Sequence, residues 1–294
     1  MTSFSDQAQD FPRGSLQGSS SSPRTLFNNV MNGVIFICAG LALLPLLLVL
    51  SYLLIKGFGS LSLDLFYELP PAPLDRGGGF GNAIVGTLIM VGIGAVISVP
   101  IGVAAAVYLT EFSKGKTARW IRFATNVLSG VPSIIAGVVT YGILVATKYV
   151  GYSAIAGGVA LSILMLPIIV RTTDEALQLV SQDLRQAAVG IGATNYQTVL
   201  FVVLPAALPS IITGVTLSIA RAAGETAPLI FTALFSFFWI RNLTEPTASL
   251  AVLVYNFATS FDNNQQSVAW AASLVLVLMV LISSIIARFT TRSK

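Results

Sequence analysis

Leu184-Arg185-Gln186-Ala187-Ala188-Val189-Gly190-Ile191-Gly192-Ala193-Thr194, with Val202-Val203-Leu204-Pro205 shortly after, is a polar, small-residue interruption in a chain otherwise apolar enough for a membrane. It ends in a helix-breaking proline. A membrane protein that keeps such a helix in water between two spans presents a docking surface there. Ser181 stands before it as a candidate N-cap, and Asp183 falls in the first turn, where a carboxylate complements the helix dipole. Gly190 and Gly192 read as helix-interior positions, each costing about 1 kcal/mol relative to alanine. Such a helix is poor alone, and close packing against a partner groove would offset that cost. A helix lying on lipid would instead carry a Lys/Arg face opposite bulky apolar residues, a pattern this reading does not find.

The rest of the composition agrees. Of 294 residues, 55% are hydrophobic and 10% charged, against about 25% charged in a soluble domain; the mean hydropathy is +0.84. Histidine is absent and Cys38 is the only cysteine. Disulfides are thereby excluded within the chain, and a Cys/His metal site or a histidine-based triad has no material. The net charge of +4 does not point to nucleic acid, because Lys and Arg sit at the ends of apolar runs, where membrane orientation explains them. Residues 1–25 are rich in Ser, Gln, Gly and Pro and read as a disordered cytoplasmic tail.

A spanning helix needs about 20 apolar residues. Val30–Ile55, Ala83–Leu109, Val127–Thr147, Ser153–Val170 and Val268–Ala287 qualify, and a further crossing is placed from near Leu208 to near Ala233, with Pro209 in its first turn. The expected class is an all-α membrane protein with six transmembrane helices, divided into 1–25 (tail), 26–81 (first span and external loop) and 82–290 (the transmembrane domain, with a coupling helix near 181–199). Lys114, Lys116, Arg119 and Arg122 follow the second span, and Arg288, Arg292 and Lys294 close the chain. Six crossings with both termini in the cytoplasm put both groups inside; residues 236–266 then lie outside, partly as a re-entrant or surface helix. Gly77-Gly78-Gly79 in the first external loop reads as a hinge, since no Lys-Ser/Thr follows as a phosphate-binding loop would need.

Arg221 and Glu225 fall about 18 and 24 Å along a helix begun at Pro209, inside a hydrocarbon core about 30 Å thick. An ionisable residue there is a functional candidate by default. The i, i+4 spacing lets the two pair, and a guanidinium facing an aqueous path binds oxyanions through a planar fork of donors. The alternative is an ion pair that fixes helix packing. Arg171 stands at the inner end of the fourth span, where snorkelling is the ordinary explanation; it is kept as a pathway candidate beside Arg221 and Glu225. Glu111 reads as a solvated loop charge, and Asn82 and Thr87 as hydrogen-bonding glue between helices. Gly92, Gly94, Gly102, Gly130 and Gly137 read as sites of close helix contact.

The opening segment resembles the coupling motif of ABC-importer permeases: Glu-Ala-Ala, three residues, Gly, nine residues, Ile, one residue, Leu-Pro. Gln186-Ala187-Ala188, Gly192, Val202 and Leu204-Pro205 keep that register, with Gln for Glu and Val for Ile. Ala220-Arg221-Ala222-Ala223-Gly224-Glu225-Thr226-Ala227-Pro228, Gly81-Asn82-Ala83-Ile84-Val85-Gly86-Thr87 and Leu166-Pro167-Ile168-Ile169-Val170-Arg171-Thr172-Thr173 are similar to phosphate-specific permeases of the PstA type. The resemblance implies a type I ABC importer permease (MetI-like) fold in the cytoplasmic membrane. It implies as partners a second permease of the PstC type, two copies of a PstB-type ATPase and an extracytoplasmic PstS-type phosphate-binding protein. It implies docking to the ATPase through Gln186, Ala187, Ala188, Gly192, Leu204 and Pro205, and a part for Arg221 and Glu225 in phosphate passage. The chain has no Walker-A pattern, so ATP would be bound and hydrolysed by the partner subunit and no cofactor is expected here. A permease for sulfate or molybdate, a stand-alone channel and a membrane scaffold are the competing readings.

Overall fold

In a computed structural model the described residues are 23–113 and 115–292. Most of the tail and the cations at 114 and 294 lie outside them. The chain divides into two compact units, Met1–Tyr52 and Leu53–Lys294. The described part of the first unit is helical from Pro23, so helix begins inside the stretch expected as tail; it belongs to α1 (Pro23–Gly59), whose apolar side chains there are exposed. At about 1.5 Å per residue the 37 residues of α1 exceed one bilayer core.

The second unit is built on α2 (Gly81–Val107) and α5 (Ala154–Gln178). Small residues let their backbones approach, the usual device where lipid gives no hydrophobic drive for helix pairing. A Cβ at Gly102 would stand 2.8 Å from the Ile169 side chain, and one at Gly94 would stand 3.2 Å from the Gly158 carbonyl. Gly92 has nothing within 4 Å and makes no such contact, contrary to the sequence reading. Met90, Leu161, Met165 and Ile169 fill the seam.

The third expected span is broken. α3 (Lys116–Ser129) and α4 (Ser133–Thr140) meet at 100° across Gly130-Val131-Pro132. Pro132 drives Val131 out of helical geometry, and Gly130 serves as the C-cap of α3. Among the described residues five helices are long and apolar enough to cross a membrane, or six if this bent pair is one span.

Two further boundaries differ from expectation. The run after α6 (Gln182–Gly190) starts at α7 (Asn195–Thr198), passes through a π turn, Val199–Val203, and continues as α8 (Leu204–Ala223). Pro205 therefore does not end a helix. The wide turn before it absorbs the missing donor, a known accommodation in membrane helices. This crossing begins well before Leu208 and stops at Ala223, with Gly224 as C-cap; α9 (Ala227–Thr232) is separate. α9 packs on α4, where a Cβ on Gly137 would stand 2.6 Å from Pro228 Cα. The irregular backbone beside them is satisfied inside the protein: Ser153 N–H donates to Thr232 O (3.0 Å) and Thr247 N–H to Ala233 O (3.0 Å), as membrane depth demands.

α10 (Leu250–Ala258) is buried against α11 (Asn263–Arg292). Thr87 accepts from the Leu250 amide at 2.9 Å, and Asn82 donates to the carbonyls of Ser236 and Phe238, so both join separate elements. The glycine loop is tied down. Gly78 N–H donates to Glu68 (2.9 Å), Asn264 to the carbonyls of Asp75 and Gly77, and Asp262 accepts from Leu74 N–H. It is neither a loose hinge nor a free amide cradle.

Candidate functional site

The motif that opened the sequence reading is a helix of nine residues, not one helix from 181 to 199. Ser181 caps it by accepting from Leu184 N–H at 3.4 Å. Gly192 lies beyond its end at φ +92°, so the cost assigned to it as an interior glycine does not apply. Gly192 N–H donates to Val189 O (2.9 Å) and Ala193 N–H to Ala188 O (3.1 Å), the paired bonds of a Schellman cap, whose left-handed residue is normally glycine. Thr194 and Gln197 then form a capping box that opens α7. The glycine of the motif is thus the corner between two helices.

The surface there is not bare. Leu184, Val189, Ile191 and Tyr196 are exposed, Ile191 at 89%, around the exposed Gln186 and Ala187. Ala188 is buried instead. Bulky apolar groups around a small-residue centre make a contact patch of the composition expected for a protein partner.

Glu111 is not a solvated loop charge. It forms an ion pair with Arg185 at 2.8 Å, the side chains 10% and 14% exposed. Arg185 also donates to the carbonyls of Leu177 and Val180. Next to it, Asp174 takes two donors from Arg122 (2.9 and 3.0 Å) and the Thr110 hydroxyl at 2.6 Å. Sequence reasoning missed both clusters because their members are far apart in the chain. The one signal available was Asp174 following Arg171 on an apolar helix.

Arg171 pairs with Glu175 at 2.9 Å, both exposed. It lines a cleft of ≈ 690 Å³ with Arg122, Asn126, Asp174, Glu175 and Gln178. Arg221 and Glu225 lie elsewhere. Ala207, Ile211, Gly214, Ser218 and Ala222 form the buried stripe of α8, and Arg221 sits on its flank in the last turn. Its guanidinium Nε stands 3.6 Å from Glu225 Oε1, with exposures of 67% and 18%. Glu225 follows the C-cap, so the pair spans a helix end and not one face of a continuing helix. The depth counted from Pro209 falls with it, because the helical run starts at Asn195. The structure brings Arg221 to Glu225 and Arg171 to Glu175, and it leaves Arg171 out of the first pair. Among the described residues no group of three His, Cys, Asp or Glu could hold a metal ion.

The model of the family described as binding-protein-dependent transport system inner membrane component matches residues 98–293. A curated relative in Haemophilus influenzae, the phosphate transport system permease protein PstA, is 40% identical over 92% of this chain and 96% of its own. Among solved structures, a chain of a bacterial alginate ABC transporter in complex with its alginate-bound periplasmic protein superposes with a TM-score of 0.67 at 14% identity, covering 92% of this chain and 96% of that one. A chain of the inward-facing MetNI methionine ABC transporter gives 0.58 at 21% identity, over 72% and 94%. At these identities the two likenesses speak for fold alone, a helical ABC-transporter permease fold. The match to the family model covers more than half of the chain, and the protein belongs to the inner-membrane component family of binding-protein-dependent transport systems.

Proposed function

We propose that this chain is the PstA-type permease subunit of an ATP-driven importer that carries inorganic phosphate across the cytoplasmic membrane. The observation that carries the reading is its likeness, over 92% of its length, to a named phosphate permease, in a chain that holds an arginine and a glutamate at the end of a spanning helix.

A PstC-type permease completes the pathway, and a PstS-type binding protein delivers phosphate from outside. Two PstB-type subunits bind and hydrolyse ATP on the cytoplasmic side, where both termini of this chain lie. They take the exposed patch of Gln186, Ala187, Leu184, Val189 and Ile191 into a groove, with Ala188 and Gly192 shaping the corner. Leu204 and Pro205 carry the motion into α8, since the helical run from Asn195 to Ala223 is unbroken. Arg221 attracts the anion at the far end of that run. A guanidinium two-thirds exposed and 3.6 Å from its partner can turn its donor fork to an oxyanion. Glu225 can accept a hydrogen bond from monohydrogen phosphate, which sulfate cannot give. Arg171, in its own cleft, serves the inner mouth.

The test is labelled phosphate uptake by the reconstituted complex. Uptake should require ATP and the binding protein and resist a large excess of sulfate. Equal displacement by sulfate would move the substrate assignment to another oxyanion, and conduction without ATP would make the chain a channel.

A further inference from the structure

After Val107, α2 widens into a π turn, Tyr108–Phe112, a distortion frequent at functional positions. Two consecutive residues of that turn hold different neighbours. Thr110 donates to Asp174 on α5, which also takes the guanidinium of Arg122 on α3. Glu111 accepts from Arg185 on α6. One turn of α2 therefore ties together α3, α5 and α6.

The attachment of α6 is sparse otherwise. Of its nine residues only Ala188 is buried and only Arg185 is intermediate; the rest are exposed. A helix this short is marginal by itself, since isolated helices below about 12–15 residues barely hold in water. Its orientation rests on its attachments, and Arg185 supplies the polar ones. The guanidinium holds Glu111 on one side and the carbonyls of Leu177 and Val180 on the other. Leu177 lies in the last turn of α5 and Val180 within the short link that follows it. The geometry is that of a locked elbow: planar, several donors used at once, and largely screened from water.

We propose that the Arg185–Glu111 pair is the joint through which displacement of α6 reaches α2 and α5 as one rigid movement, with Arg185 a positioning residue of the transport cycle. The inference rests on the reading of α6 as the ATPase-facing element. Without the pair, α6 would still be gripped by its partner but would swivel about its link, and the ATPase cycle would turn over without moving the bundle.

The test uses the assembled complex with Cys38→Ser and spin labels on Leu88→Cys in α2 and Gln182→Cys in α6, both exposed positions. With the joint intact, the distance distribution between the labels should be narrow and the same in nucleotide-free and ATP-bound states. Glu111→Gln, nearly isosteric, should broaden it, and phosphate imported per ATP hydrolysed should fall several-fold while ATPase co-purification stays native. Arg185→Lys keeps the charge but loses the fork and should do the same; Glu111→Asp should restore part of the coupling. An unchanged distribution with a native transport-to-hydrolysis ratio in either variant overturns the joint. Failure of both variants to assemble also overturns it, because the pair would then serve folding alone. The label distances do not depend on the substrate, so a wild-type complex that imports no phosphate would sink the functional reading and leave this inference tested separately.

Discussion

Arg221 holds Glu225 at 3.6 Å across the end of α8, so the helix lends the arginine its position while the residues after the cap supply the carboxylate. Neither group is locked: no hydrogen bond of ordinary length joins them, and the arginine is mostly exposed.

That looseness separates two roles for the pair. With the arginine 67% exposed and 3.6 Å from a carboxylate that is 18% exposed, the pair ties the fold together only weakly, so Arg221→Gln should leave folding and complex assembly near native while abolishing phosphate uptake. Uptake by phosphate-starved cells, read beside co-purification of the ATPase, checks this. Normal uptake with reduced stability would make the pair a packing device.

Gly190 and Gly192 should respond oppositely to alanine. Gly192 stands at φ +92°, where a Cβ costs about 1–2 kcal/mol; Gly192→Ala should distort the corner and weaken ATPase co-purification. Gly190 is helical with nothing within 4 Å of a built Cβ, and alanine there should gain up to about 1 kcal/mol of helix stability. Thermal unfolding of the solubilised complex together with co-purification distinguishes the two.

A second contrast concerns packing. A Cβ on Gly214 would collide with the Thr172 hydroxyl of α5, whereas Gly92 faces open space. Gly214→Val should force α8 away from α5 and destabilise by about 1–3 kcal/mol, the usual cost of overpacking. Gly92→Ala, in the interior of α2 with open space at its Cβ, should be neutral to stabilising by up to about 1 kcal/mol. Equal melting temperatures for the two variants would contradict the α5–α8 contact.

Arg122 and Asp174 should be coupled. Two charge-assisted bonds at 2.9 and 3.0 Å, with the carboxylate side chain 13% exposed, predict an interaction of about 0.5–3 kcal/mol in a double-mutant cycle of Arg122→Ala and Asp174→Ala. Strict additivity of the two losses would mean the pair does not hold α3 to α5.

The small residues along α2 and α5 announced close packing before any coordinates, because a backbone approach needs the absence of side chains at regular intervals. They did not announce which glycines would be used: Gly102 meets Ile169, and Gly92 meets nothing. Helix ends were least legible. Pro205 reads as a stop and is not one, because the π turn before it changes the hydrogen-bond register. α3 does end before Pro132, at Ser129, with Gly130 as its C-cap.

Hydropathy determined by itself that this is a helical membrane protein, and the Gln186–Pro205 register and the Arg221–Glu225 spacing marked a candidate docking segment and a charged pair worth testing, since each depends on residues near one another along the chain. Tertiary structure alone decided that Glu111 belongs to Arg185 and Asp174 to Arg122. Those partners lie 74 and 52 residues apart, and only the packing of α2, α3, α5 and α6 brings opposite charges close enough, and dry enough, to bind.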